Sequence, residues 1–158
     1  NEAKLVATLM GDAVRTFHHI GSTAIPDILA KPIIDVLLEV SSLQAVDDCA
    51  ERLKEIGHEA RGEHGIAGRR YFNRKPTDAA LGVHLHGYVT GSFQIRRHLA
   101  FRDYLVLKPE IAAQYAALKA ELSLKDGTLK GKYQRAKQPF VDGVTLEALR
   151  FFESLEGP

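Results

Sequence analysis

The run Ile33-Ile34-Asp35-Val36-Leu37-Leu38-Glu39-Val40 constrains this chain more than any other stretch. It is nearly continuously apolar and rich in β-branched residues, yet far short of the roughly 20 residues that a membrane helix needs. A strand buried on both faces has this pattern. The flanking elements follow from period and punctuation. Residues 3–10 predict the end of a helix closed by Gly11, and Ala13 to His19 alternates as a strand does. Pro26 and Pro32 bracket room for one helical turn over Asp27 to Lys31.

Ser41 or Ser42 caps a helix predicted over Leu43 to Ile56, with Val46, Ala50, Leu53 and Ile56 on one face and Gly57 at its end. His58 to Glu63 reads as a short strand or loop. Arg70 to Lys75 and Leu81 to Val89 read as an antiparallel pair turned at Pro76-Thr77-Asp78. Three helical stretches follow, at 95–107, 110–124 and about 139–155, the last beginning at Pro139, with Pro109 where the second should begin, its favoured place. Strands come early and helices late, so the fold class is α+β or mixed α/β. A length of 158 residues with 45% hydrophobic content predicts a single domain, 1–158, with a sizeable core.

Net charge is +1, which gives no argument for bulk nucleic-acid binding. No segment predicts a membrane span. The lone Cys49 makes no internal disulfide and lies in a helical pattern that suits a small buried residue, so the expected compartment is the reducing cytoplasm. The chain opens Asn1-Glu2-Ala3-Lys4 with neither signal-peptide architecture nor an initiator Met, which predicts a start inside a longer protein. Residues 1–68 hold 6 Lys/Arg against 11 Asp/Glu, and residues 69–158 hold 15 against 9. That split points to a small anionic ligand bound between the halves, the other reading being a solvated charged face.

Two elements carry chemistry. A strand ending in Gly21-Ser22-Thr23 offers approachable backbone N–H groups and two hydroxyls, which phosphate oxygens require. Asp35, amid Ile33, Ile34, Val36 and Leu37, loses hydration unless it is paired, hydrogen-bonded or bound to metal. A structural pair with Lys31 or an arginine and a metal site both remain open.

His19-Ile20-Gly21-Ser22-Thr23-Ala24-Ile25-Pro26 and Lys31-Pro32-Ile33-Ile34-Asp35 together resemble the signature of the GrpB family. The resemblance continues in His84-Leu85-His86, in Leu99-Ala100-Phe101-Arg102-Asp103-Tyr104-Leu105, in Tyr115-Ala116-Ala117-Leu118-Lys119, at Tyr133 and in Lys137-Gln138-Pro139-Phe140. GrpB proteins are similar to the nucleotidyltransferase superfamily and occur fused to dephospho-CoA kinase. The resemblance implies a small mixed sheet flanked by helices, with C-terminal helices beyond it. It also implies Gly21 and Ser22 as the phosphate-binding turn, with Thr23 beside them, and Asp35 as the first, catalytic carboxylate for Mg²⁺.

The chain departs from the transferase pattern at Leu37, where a second acid is expected. Glu39 shares that face but lies roughly 13 Å along the strand, too far to join Asp35 on one Mg²⁺. His84 and His86 share a face at about 7 Å and can converge on a common ligand. If their strand neighbours that of Asp35, the set suits Zn²⁺, Mn²⁺, Fe²⁺ or Ni²⁺ better than Mg²⁺. The other reading has both imidazoles contacting substrate phosphate or lining the pocket wall. Arg69, Arg70, Arg74 and Lys75 are candidates to neutralise an anion, Arg70 foremost, and alternation lets about half of them face the site. Lys31 and Lys137 are further candidates for substrate binding.

The expected function is metal-dependent transfer of a nucleotidyl or phosphoryl group to a small-molecule acceptor. The alternatives are a non-catalytic nucleotide- or metabolite-binding module, and a transition-metal enzyme acting on a non-nucleotide substrate through Asp35, His84 and His86.

Overall fold

The structure, a computed structural model, describes residues 2–125 and 130–157. They form two compact units, Asn1–Thr23 with Ala30–Ile95, and Ala24–Leu29 with Arg96–Pro158.

The first unit is built on the predicted apolar run. Strand β2 (Ile33–Val40) lies inside a five-stranded sheet with β1 (Val14–Ile20), β3 (Glu59–Ala60), β4 (Arg69–Arg74) and β5 (Gly82–Val89), in the order β1-β2-β5-β4-β3. β2 is antiparallel to β1 and parallel to β5, and β4 is antiparallel to both β5 and β3, so the sheet is mixed. Helices α1 (Glu2–Met10), α2 (Leu43–Asp47) and α3 (Ala50–Glu55) supply the core that one sheet face requires. Val6, Met10, Val46, Cys49 and Leu53 from the helices pack with Leu38, Val40, Phe72, Val83 and Leu85 from the strands. Burial at this scale contributes about 25 cal/mol per Å² of apolar surface.

The continuous run in β2 has a more specific meaning than burial on both faces. Ile34, Val36, Leu38 and Val40 alternate onto the core face. Asp35, Leu37 and Glu39 take the other, with Leu37 fully buried between two acids. Strand alternation puts His84, His86 and Tyr88 of β5, and Arg69, Tyr71 and Asn73 of β4, on that same second face.

The single helix predicted over 43–56 is two helices. Ser42 caps α2, its hydroxyl accepting from Ala45 N–H at 3.0 Å. Asp47 and Asp48, poor interior helix formers, then bring a turn in which Cys49 N–H donates to Val46 O at 3.0 Å. α3 resumes with the apolar stripe preserved. The turn predicted between Pro26 and Pro32 is displaced toward Gly21, as a 3₁₀ turn over Ser22–Ala24.

The second unit holds α4 (Phe93–Leu107, from Arg96 onward), α5 (Pro109–Lys125) and α6 (Lys130–Glu156). Ile25, Leu105, Ala112, Tyr115 and Val144 form its core. Pro109 opens α5 as expected. Pro139 does not open α6 but lies inside it. Its ring removes one N–H, leaving the Arg135 carbonyl without an intrahelical donor, and both residues are exposed, so water can satisfy that carbonyl. Among the described residues no helix is long and apolar enough to cross a membrane.

Candidate metal centre

The parallel pairing of β2 with β5 creates the site. Asp35 stands in register with His84 and Leu37 with His86, so one carboxylate and two imidazoles project from adjacent strands on one face. Asp35 Oδ1 lies 3.2 Å from His84 Nδ1 and 3.0 Å from His86 Nε2. The three ligand atoms all fall within 4.8 Å of one another. Donors each bonded at roughly 2.0–2.2 Å to one tetrahedral ion sit about 3.4 Å apart, so the three converge on one ion once the side chains draw together around it. Two imidazoles and a carboxylate suit Zn²⁺, Mn²⁺, Fe²⁺ or Ni²⁺ and are a poor match for Mg²⁺.

Burial alone raises the Asp35 carboxyl, but hydrogen bonds with His84 and His86 and the electrostatic attraction of those rings outweigh it, holding the group well below the usual carboxylate range. Asp35 is therefore an anion, the form a metal ligand needs.

Gly21 closes the other side of Asp35. Its φ is +74°, and a Cβ built there would stand 2.7 Å from Asp35 Oδ2. Only glycine meets both requirements. The glycine bend and the acid thus adjoin, as the sequence suggests. Ser22 follows at the start of the 3₁₀ turn, half-buried. Thr23 is exposed, and its Oγ1 lies 2.7 Å from His19 Nε2.

The basic candidates are dispersed. Arg70 falls on the core face of β4, where Nε and Nη2 reach the Asp47 carboxylate at 2.6 and 2.9 Å. The alternation that brings Arg69, Tyr71 and Asn73 to the cluster's face turns Arg70 away from it. Arg74 shares that phase and donates to Leu81 O at 3.1 Å. Arg69 is buried on the cluster's face, but its guanidinium donates to Glu63 O and His64 O at 3.1 and 2.6 Å, bracing the 61–68 loop. Lys31 is exposed ahead of β2, and Lys137 belongs to the second unit, its ammonium 5.5 Å from the Tyr133 ring centroid. Glu39 is engaged by His18, Nε2 to Oε1 2.7 Å.

Sequence reasoning missed Tyr71. Its ring packs edge-on to His84 and tilted to His86, centroids 5.4 and 5.2 Å away, and His64 stacks on it at 4.8 Å. Burial first, then the Asp35 charge, raises its phenol, against the opposing pull of Arg69 and Arg61. The available signal was alternation: Tyr71 is two residues from both Arg69 and Asn73.

Fold and cluster together define a mixed α/β protein with a candidate metal centre. The chain belongs to the GrpB family, whose model, described as GrpB protein, matches residues 1–147. It is 40% identical over 150 residues to the protein YqkA of Bacillus subtilis, covering 95% of this chain but only 43% of that protein. To the glutamate-rich protein GrpB of Alkalihalophilus pseudofirmus it is 36% identical, with 92% of this chain and 86% of that protein covered. A dephospho-CoA kinase of Mycobacterium bovis is 31% identical over 77% of this chain and 36% of its own length. The crystal structure of conserved protein GrpB from Enterococcus faecalis superposes with a TM-score of 0.87 at 36% identity, covering 96% of this chain and 90% of that one.

Proposed function

We propose that this protein holds one transition-metal ion at Asp35, His84 and His86 and acts with it on a small anionic substrate. The convergence of three ligand atoms within 4.8 Å, from two adjacent strands, carries the reading. Bound there, the ion supplies Lewis-acid polarisation of a substrate oxygen. The protein's own groups do the rest. Asp35 contributes a fixed negative charge, Tyr71 walls both imidazoles, and Gly21, lacking a side chain, lets its backbone pack directly against the carboxylate. Leu37, fully buried where a second acid would stand, weighs against a two-ion centre.

A second reading, nucleotidyl or phosphoryl transfer in the manner of the nucleotidyltransferase superfamily, draws support from the Gly21-Ser22 bend against Asp35. In it the bend and Thr23 receive phosphate oxygens, and Lys31 assists. A non-catalytic binding module would keep the same pocket without turnover. The free, buried Cys49 suits a reducing compartment, so we place the protein in the cytoplasm.

The test is metal analysis of protein purified without chelator. About one equivalent of Zn, Mn, Fe or Ni is expected in the wild type and none in Asp35→Ala. Wild-type protein that takes up no ion when offered each in turn contradicts the reading.

A further inference from the structure

We propose that Arg61 is the residue through which this centre recognises its substrate, and that it takes the phosphoryl group of a small phosphomonoester. The proposal rests on the metal reading above and adds a specificity residue and a substrate class to it.

Arg61 directly follows β3, and its position is tightly set. Its N–H donates to Tyr71 O at 2.8 Å, and Tyr71 N–H donates to Gly62 O at 2.8 Å, so the backbone continues the ladder alongside Tyr71. The side chain is fixed as well, with Nε donating to Asn73 Oδ1 at 2.9 Å. Asn73 is the register partner of His84, which is the register partner of Asp35. Partners in register share a face, so the guanidinium lies over the side of the sheet that carries the cluster. It stands on the row Asn73–His84–Asp35, with neighbouring strands about 4.8 Å apart.

The other arginines nearby are committed elsewhere. Arg70 and Arg74 occupy the opposite face, and Arg69 is buried with its N–H groups on loop carbonyls. Arg61 is different: its ion pair with Glu59 is exposed, at 46% and 57% of the two side chains. Exposed pairs of this kind contribute little and exchange readily. Nη1 has no hydrogen-bond partner among the described residues, leaving an edge of the fork for a ligand.

Charge selects the ligand. A divalent ion on one carboxylate and two neutral imidazoles leaves a positive centre, and Arg61 adds another positive charge on the same row. A phosphoryl group offers three terminal oxygens in different directions, enough to meet the ion and a guanidinium together. A carboxylate offers only two oxygens, both in one plane, and so fewer directions in which to meet both.

Inorganic phosphate is the probe, titrated calorimetrically into metal-loaded protein freed of excess ion. Wild-type protein should bind it, and Arg61→Gln should bind about tenfold or more weakly with unchanged metal content and melting temperature. Arg61→Lys should fall between them. Metal at one equivalent with phosphate bound equally by wild type and Arg61→Gln, or by neither, overturns this proposal and leaves the metal reading standing. Wild-type protein that takes up no metal removes the metal reading and this one with it.

Discussion

Replacing Gly21 by alanine perturbs the centre without touching a ligand. Two costs combine at this position. A left-handed φ of +74° disfavours any side chain by roughly 1–2 kcal/mol. The new methyl would also stand 2.7 Å from Asp35 Oδ2, 3.1 Å from its Cβ and 3.2 Å from its Cγ. The carboxylate must move, and it cannot do so while keeping Oδ1 at 3.2 Å from His84 and 3.0 Å from His86. Losing or lengthening those charge-assisted contacts adds about 1–2 kcal/mol. The sum, about 2–4 kcal/mol, should lower the melting temperature by roughly 4–16 °C.

Gly68→Ala provides the control. Its φ is +77°, but nothing lies within 4 Å of the added Cβ, so only the conformational cost of about 1–2 kcal/mol applies. Urea unfolding of both variants, paired with zinc titration, separates strain from displacement. Gly21→Ala should be the less stable and bind zinc at least about tenfold more weakly, while Gly68→Ala binds as wild type. Equal destabilisation with wild-type zinc affinity in both would refute the packing of Gly21 on Asp35.

Asp35 predicts an acid-limb signature. Its folded-state value is depressed, so its stabilisation is complete above about pH 4, the unfolded value, and is lost as the pH falls through the folded one. Urea unfolding of metal-free protein should show a steeper acid loss in wild type than in Asp35→Asn, and identical slopes contradict the assignment. Arg70→Ala should lose no more than about 1 kcal/mol, because its pair with Asp47 is partly exposed, and should leave zinc affinity unchanged by calorimetry; a large drop would mean Arg70 serves the centre after all. Glu39→Gln should likewise keep zinc affinity within about twofold, since Glu39 pairs with His18 and lies too far along β2 to share an ion with Asp35.

Much of the fold was legible because it rests on local pattern. The apolar run became β2, the paired segments around Pro76 became β4 and β5, and Pro109 opened α5. The His-x-His spacing correctly placed both imidazoles on one face. What could not be read was register, a tertiary property in which a one-residue slip exchanges the faces of a strand. Arg70 shows the consequence: the same basic cluster holds Arg69 on the cluster's face and Arg70 on the core face, and only pairing with β5 decides which is which. The parallel match of Asp35 with His84 was equally invisible, since about forty residues of crossover separate β2 from β5. Arg61 is hidden for the same reason, since only the pairing of β3 with β4 brings it beside Asn73. The place of Pro139 inside α6 is not legible, because the exposure that makes an internal proline tolerable follows from packing rather than from the sequence around it.

The central claim is that Asp35, His84 and His86 share one ion. Crystals of the zinc-loaded protein, measured on both sides of the zinc absorption edge, test it most directly. The account predicts one anomalous peak within bonding distance of Asp35 Oδ1, His84 Nδ1 and His86 Nε2. A fully loaded crystal whose peak lies elsewhere, with Asp35 still hydrogen-bonded to both imidazoles, would contradict it.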